Sequence, residues 1–203
     1  MKLPKILFVF LLVIATAIIC VSYFYSNPIS RNIDTTIVGV QYRVGNQTGE
    51  YEEKEITIKG TFRHYVFGNK PDYFYGYFSI EGYADTFDMQ ASASLNSISS
   101  HRAQYNSLRY LQDMGNGHYD SNNMGIIIST VNFKEFVICV FEPVPPPEKA
   151  QYETEWKGWN IKTGLVICAP AHTQEEAIEL FERTMQNVSI GEHREGRPIT
   201  MSP

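Results

Sequence analysis

The feature that most constrains this chain is an uncharged apolar segment over residues 6–25. A helix of about 20 apolar residues matches the hydrocarbon thickness of a bilayer. Lys2 and Lys5 precede the segment, and no acidic residue does. This basic flank favours a cytoplasmic N-terminus and a C-terminal part on the outside. We therefore predict a single-pass transmembrane anchor that holds the rest of the chain outside the cytoplasm, at the cell membrane.

Two other fates of this segment stay open. Ala15-Thr16-Ala17 supplies small residues for signal-peptidase cleavage, which would release a secreted protein. The residues after that site stay apolar through Tyr25, which makes a poor start for a mature chain. Cys20 is a candidate for lipidation, but Ile19 stands where the lipoprotein pattern requires a small residue. The uncleaved anchor agrees best with the segment's length and flanks.

Composition and cysteine use restrict the exported part. The 203-residue chain has 17 basic and 22 acidic residues, and such an acidic surface argues against nucleic-acid binding, which requires a basic stripe. Cys139 and Cys168 lie in two apolar runs. An exported domain permits a disulfide between them, but two free, buried cysteines are the favoured interpretation. A domain of this size can fold without such a cross-link.

Alternating apolar and polar residues indicate a β-rich domain. Ile56, Ile58 and Phe62 share one face of a strand with His64 and Val66, and Phe74, Phe78 and Ile80 share a face of the next strand. The sharpest alternation covers residues 87–95. Further strands are predicted over residues 38–44, 105–112, 124–130, 134–142 and 161–169. Short turns between successive strands imply antiparallel pairing.

One helix is well signalled near the C-terminus. Thr173 and Glu176 have the spacing of a capping box. Ala177, Ile178, Phe181 and Met185 then form an apolar stripe at helical spacing. The prediction is an α+β, mainly β fold, with an N-terminal transmembrane helix and then a curled or barrel-like antiparallel sheet of about seven or eight strands with one C-terminal helix. The predicted parts are a cytoplasmic N-terminus (1–5), the anchor (6–25), a linker (26–34), the extracytoplasmic domain (35–190) and a flexible tail (191–203).

Several short segments resemble known sequences. They are Ile58-Lys59-Gly60-Thr61-Phe62, residues 76–83, Met124-Gly125-Ile126-Ile127-Ile128 followed by Phe133-Lys134-Glu135-Phe136, and residues 164–171 running into Glu175-Glu176-Ala177. Together they resemble small, uncharacterised exported proteins of low-GC Gram-positive bacteria, which have one N-terminal anchor and one domain. The resemblance covers most of the exported part. It implies a compartment and an architecture, and no activity or site residue.

Aromatic side chains are the best binding candidates. Trp156 and Trp159 flank a short Lys-Gly segment, and Tyr73, Tyr75 and Tyr77 follow one face of a strand. Flat rings with polar edges suit sugar rings or extended peptides. Half-buried strands also favour tyrosine and tryptophan for packing alone, and that interpretation is the more common one.

Catalytic candidates are weaker. His118 and Asp120 lie in a polar loop, where ordinary turn chemistry explains them. His64 could act as an acid or base in a cavity, although a histidine at the rim of the core with one hydrogen bond is favoured. The sequence has no Gly-x-Ser-x-Gly, His-Glu-x-x-His or Gly-x-Gly-x-x-Gly motif. We therefore predict no catalytic residue, no metal site and no cofactor.

The sequence predicts a non-enzymatic domain that is held by residues 6–25 in the membrane and binds a protein or a cell-envelope glycan. The first alternative is an envelope hydrolase whose site is assembled in space, with His64 or His118 as the base. The second is a carrier of a small apolar ligand inside a barrel. A filled barrel interior would argue against the carrier.

Overall fold

The computed structural model describes residues 4–46, 49–67, 70, 72–83, 86, 90–95, 104–113, 115, 118–129, 133–145, 157–186 and 199–200. In chain order the elements are α1 (Lys5–Ser26), β1 (Ile29–Arg43), β2 (Glu52–His64), β3 (Asp72–Ile80), β4 (Gln90–Leu95), β5 (Gln104–Asp113), β6 (Tyr119–Ser129), β7 (Phe136–Val140), β8 (Glu142–Pro143), β9 (Lys157–Trp159), β10 (Leu165–Ala169), α2 (Gln174–Gln186) and β11 (Ile199–Thr200).

Eight antiparallel strands form a closed barrel in the order β1, β10, β7, β6, β5, β4, β3, β2. The long strand β1 closes the ring, because it pairs with β2 along residues 29–41 and with β10 along residues 40–43. The short strands β8, β9 and β11 form a separate three-stranded sheet. The predicted fold class is confirmed: the protein is mainly β, with an apolar N-terminal helix, a curled antiparallel sheet and a C-terminal helix.

Alternating apolar residues fill the barrel interior, as the period-2 pattern of β2 and β3 predicts. The inward apolar side chains of these two strands are almost fully buried, with Ile56, Ile58, Phe74 and Phe78 at 0% exposure. Their outward neighbours, such as Tyr75 and Tyr77, stay exposed. Val66 does not continue the buried row of β2, because it lies in the turn after His64 and is exposed.

Phe133 closes one end of the interior. Its ring contacts Phe62, Phe74, Phe78 and Phe136, with ring centroids 5.0 to 6.4 Å apart and edge-to-face geometry. Such edge-to-face contacts are favourable beyond the area that they bury. Phe133 itself is 1% exposed and has a backbone φ of 53°. A bulky residue rarely adopts this left-handed conformation, so packing of the ring must offset the backbone strain.

Two glycines let β2 and β3 approach closely inside the barrel. Gly60 and Gly76 are direct partners across the two strands. A Cβ atom on Gly76 would lie 2.3 Å from the Lys59 carbonyl oxygen and 2.5 Å from the Gly60 Cα atom. A side chain at either position would therefore push the two backbones apart, and glycine is required at this point of the curved sheet.

The helix α2 covers a second apolar cluster on the outside of the barrel. Ala177, Leu180 and Phe181 of α2 pack there with outward residues of β1, β7 and β10, including Val40, Tyr42, Val137 and Val166. The predicted stripe is confirmed, with Ile178 and Met185 partly buried at its margins. At the start of α2, the Glu176 backbone N–H donates to Thr173 Oγ1 at 3.2 Å. The Glu176 carboxylate accepts from the His172 backbone N–H, one residue earlier than in the usual capping box.

The interpretation of residues 26–34 as a linker was wrong for most of that range. α1 runs to Ser26, and β1 already begins at Ile29, which pairs with His64 on β2. Residues 29–34 look polar because they lie at the barrel rim, where only Ile33 is buried. Of the predicted flexible tail, the structure describes only residues 199–200, and these form β11, in which Ile199 pairs with Trp159. The predicted strand residues 87–89 lie outside the described part of the chain.

The helix α1 is long and apolar enough to cross a membrane. It has 22 residues, and none of its apolar stretch is buried against the rest of the protein. A helix of the protein core would be mostly buried, so this exposure leaves a membrane segment or a signal sequence as its explanations.

Candidate binding site

Tyr73, Tyr75 and Tyr77 lie on the outer face of β3, where the structure brings them together as predicted. Tyr75 and Tyr77 are 44% and 45% exposed, and Tyr73 is half-buried. Residues two apart in a strand stand about 6.8 Å apart on one face. Since α2 packs on β1, β7 and β10, it leaves this part of the barrel surface uncovered. We call this surface, with its neighbours on β1 and β2, the tyrosine face.

Polar cross-strand partners line the tyrosine face. Tyr77 stands opposite Lys59, whose Nζ atom lies 3.1 Å from an oxygen of Asp34. Tyr75 stands opposite Thr61, whose hydroxyl donates to Asn32 Oδ1 at 3.2 Å. Each ring therefore has hydrogen-bonding groups beside it on the neighbouring strands. A ligand with apolar patches and polar edges could stack on the rings and bond to these groups.

Trp159 does not belong to this surface, and its proposed role in binding was wrong. It is 2% exposed, its Nε1–H donates to the Leu165 carbonyl at 3.0 Å, and its ring packs against Phe181 of α2 at 6.3 Å. The short sheet and α2 together enclose the indole ring, so it contributes to the core. Trp156 lies outside the described residues.

A second polar site lies where β2 and β3 join. Asp72 is fully buried, and its Oδ2 lies 2.8 Å from His64 Nδ1. The other carboxylate oxygen, Oδ1, accepts from the Tyr65 backbone N–H at 2.9 Å. A carboxylate that orients an imidazole is an arrangement used by general bases. Here the same carboxylate also holds the backbone of the turn, which gives Asp72 a structural role.

Replacing Asp72 with asparagine is expected to lower the free energy of unfolding by about 2 kcal/mol, because the hydrogen bond to His64 loses its charged acceptor, the buried carboxylate. The amide oxygen still accepts from Tyr65, so the turn is retained. Chemical denaturation of the full-length protein measures the change. Asp34→Asn is the matched control, because its ion pair with Lys59 is exposed and is expected to contribute about 0–1 kcal/mol. Equal losses in the two variants would contradict the role of Asp72.

Sequence reasoning missed Asp72 because it is part of the run Gly68-Asn69-Lys70-Pro71-Asp72, whose composition is typical of a turn between two strands. A usable sign was present, since Asp72 precedes Phe74 by two residues and therefore belongs to the inward face of β3. Lys54 was missed as well. It stands two residues before Ile56 on the inward face of β2, and its side chain is 12% exposed with Nζ 2.6 Å from an oxygen of Glu52.

Lys54 and Glu52 belong to a polar rim at the barrel end opposite His64. Tyr83 donates to Gln41 Oε1 at 2.7 Å in this rim, and burial raises the pKa of Tyr83 to about 12. Nearby, the Arg43 guanidinium makes a bidentate pair with Glu142, and this hydrogen bonding lowers the pKa of the Glu142 carboxyl. The Arg43–Glu142 pair connects β1 to β8, and Arg43 and Lys54 each have a carboxylate partner.

Of the remaining candidates, His118 lies in a turn and the two cysteines belong to the core. The His118 backbone N–H donates to the Gly115 carbonyl, as the turn interpretation predicts, and the side chain of Asp120 is outside the description. Cys139 and Cys168 are free and buried under α2. Burial raises the pKa of both thiols, so they are neutral and poor nucleophiles. Among the described residues, no group of three or more His, Cys, Asp or Glu could hold a metal ion.

The resemblance to small exported proteins of low-GC Gram-positive bacteria stays a prediction. Comparison with family models, with curated proteins and with solved structures finds no match for this chain.

Proposed function

We propose that this protein is a non-enzymatic binding domain, anchored by α1 and located on the outer side of the cytoplasmic membrane, whose tyrosine face contacts a protein or a glycan of the cell envelope. The single observation that supports the proposal is the exposure of Tyr75 and Tyr77, side by side among polar partners, on a rigid barrel wall. Exposed aromatic rings on a rigid scaffold are typical anchors of binding surfaces.

The closed barrel favours recognition by a face over recognition by a strand edge. Each of the eight barrel strands pairs with a neighbour on both sides over at least part of its length, which limits the strand edge that an extended ligand could join in the described part of the chain. The interior is packed around Phe133 and its neighbouring rings. This packing argues against the carrier of an apolar ligand, because a carrier requires space inside the barrel.

The envelope hydrolase is the second candidate, and the contact between His64 and Asp72 favours it. A hydrolase of this type also requires a nucleophile or an activated water beside the imidazole. The ring of His64 is 40% exposed, which makes it accessible to a substrate. The hydrogen bond from the Tyr65 backbone N–H to Asp72 gives the buried carboxylate a structural role that requires no catalysis. Binding therefore remains the proposal.

The test is capture of envelope material by the full-length protein and by the double variant Tyr75→Ser/Tyr77→Ser. Loss of two aromatic anchors is expected to weaken binding at least about thirtyfold, which corresponds to about 2 kcal/mol. Tyr51→Ser is the matched control, because Tyr51 is also 45% exposed and lies away from β3. Protease treatment of the extract separates the two ligand classes, since a glycan ligand survives the treatment and a protein does not.

Two results would contradict the proposal. The first is that the wild-type protein captures nothing that an unrelated anchored domain does not also capture. The second is that the double variant binds as tightly as the Tyr51→Ser control. A hydrolase would instead hydrolyse its envelope substrate. In that case His64→Gln would abolish hydrolysis, whereas the Tyr75→Ser/Tyr77→Ser variant would retain it.

A further inference from the structure

The barrel end that carries His64 lies directly beside the end of the apolar helix. Only Asn27 and Pro28 separate α1 from β1, and two residues span at most about 7 Å. The Asn27 backbone N–H still donates to the Tyr23 carbonyl at 2.9 Å, which continues the helical turn up to the junction. Ile29, the first residue of β1, pairs with His64, so the turn between β2 and β3 lies at this same end. We call this end the proximal rim.

The proximal rim exposes a small apolar surface. Val66 and Phe67 in the turn after β2 are 46% and 49% exposed, and Ile29 is 48% exposed. The Phe67 ring lies 6.1 Å from the ring of Tyr25 in the last turn of α1. Tyrosines at the end of a membrane helix lie at the depth of the lipid headgroups. The contact with Tyr25 therefore brings Phe67 to the same depth.

Basic residues surround this apolar surface. Arg31, Arg63 and Lys70 are exposed beside it, and Lys70 Nζ lies 5.3 Å from the centre of the Tyr65 ring. Asp72 also lies at this end of the barrel, but its carboxylate is buried and makes hydrogen bonds with His64 and with the backbone of the turn. The opposite end of the barrel carries exposed acidic residues, namely Glu50, Glu52, Glu53, Glu55 and Glu81. Exposed Arg43 and Lys162 lie at the opposite end as well, so the charges are unevenly distributed along the barrel, with an excess of acidic residues at that end.

We propose that the proximal rim is a second membrane contact, which rests on the headgroup layer of the same bilayer that holds α1. Val66 and Phe67 insert into the interface, and Arg31, Arg63 and Lys70 meet anionic headgroups. The inference rests on the proposed anchoring by α1. The contact holds the barrel upright on the membrane, so that the tyrosine face stands beside the bilayer with Tyr73 nearest to it and Tyr77 further away. The acidic end then points away from the anionic lipid.

Site-directed spin labelling of the full-length protein in nanodiscs tests this contact. The nanodiscs contain phosphatidylcholine and phosphatidylglycerol, and Cys20→Ser removes the exposed thiol while the two buried thiols stay unlabelled. A nitroxide on Val66→Cys is expected to show an oxygen-to-nickel-chelate collision ratio several-fold above that of a label on Ile161→Cys. Ile161 is the matched control, because it is 53% exposed at the opposite end of the barrel.

Two further measurements separate the contributions to the contact. Adding Phe67→Ser to the Val66→Cys protein is expected to reduce the ratio towards that of Ile161→Cys, and an unchanged ratio would overturn the insertion of the turn. Replacing phosphatidylglycerol by phosphatidylcholine is expected to reduce the ratio as well. An unchanged ratio in the neutral nanodiscs would overturn the contact with anionic headgroups.

A label on Val13→Cys, in the middle of α1, distinguishes failure of this inference from failure of the proposed function. If the Val13 label is in lipid and the Val66 label is as accessible to water as the Ile161 label, the rim contact is wrong and the anchor stands. If the Val13 label is itself in water, the anchoring fails and the rim contact fails with it.

Discussion

Replacing Phe133 with alanine is expected to lower the free energy of unfolding by about 3–5 kcal/mol, the range for deleting a buried phenylalanine ring. The ring is 1% exposed and contacts four other phenylalanines at one end of the barrel. A rigid barrel wall cannot collapse into the space that the ring leaves, so the loss should lie in the upper part of this range. Chemical denaturation of the full-length protein in detergent measures it.

The backbone at Phe133 supplies a sharp control. Its φ of 53° strains alanine but not glycine. Phe133→Gly is therefore expected to be about 1 kcal/mol more stable than Phe133→Ala, although both variants lack the ring. At an ordinary position glycine would be the less stable of the two. Two results would contradict this role of Phe133 in closing the barrel end. One is that Phe133→Gly is less stable than Phe133→Ala. The other is that Phe133→Ala loses no more free energy of unfolding than Tyr51→Ala at the surface.

Gly76→Ala is expected to lower the free energy of unfolding by about 3 kcal/mol, the upper end of the usual range for overpacking. The added Cβ would lie 2.3 Å from the Lys59 carbonyl oxygen and 2.5 Å from the Gly60 Cα, both of them backbone atoms that no rotamer change can move. Relief requires separation of β2 from β3, which would disturb Phe74 and Phe78 on either side of Gly76. Denaturation curves of the full-length protein give the change.

Gly115→Ala is the control for the general effect of alanine at a glycine. Gly115 has a φ of +82° and nothing within 4 Å of an added Cβ, so its replacement introduces backbone strain without a steric contact. The expected cost is about 1 kcal/mol. Gly60→Ala/Gly76→Ala should destabilise by less than the sum of the single changes, because the first substitution already separates the strands. Equal losses in Gly76→Ala and Gly115→Ala would show that the close approach of β2 and β3 has little energetic weight.

The proposed binding function and the proposed membrane contact use different surfaces of one rigid barrel. The tyrosine face lies on the outer wall of β1 to β3, and the proximal rim lies where β2 turns into β3. Asp72 links the tyrosine face to the proximal rim. Its carboxylate accepts a hydrogen bond from the turn that carries Phe67, and Asp72 is the first residue of β3, which carries the tyrosines. Weakening this turn should therefore affect both surfaces, whereas Tyr75→Ser/Tyr77→Ser should affect binding alone.

Local patterns were sufficient to predict most of the elements. The alternation of Ile56, Ile58 and Phe62 predicted the inward face of β2, and the tyrosines of β3 were correctly assigned to the opposite face from Phe74 and Phe78. The spacing of Thr173 and Glu176 predicted the start of α2. These predictions succeed because a strand repeats every two residues and a helix about every 3.6 residues. The spacing of apolar residues along a short segment is therefore enough to indicate which face is buried.

Only the tertiary structure decided which of these faces meet. The sequence by itself determined an apolar N-terminal helix, a set of antiparallel strands and an amphipathic C-terminal helix. The burial of Trp159 depends on α2 packing over it, and the contact between His64 and Asp72 depends on the register of β2 against β3. Phe133 reaches four rings only because the barrel is closed. Register and closure join residues that are far apart in the chain, and no local repeat encodes them.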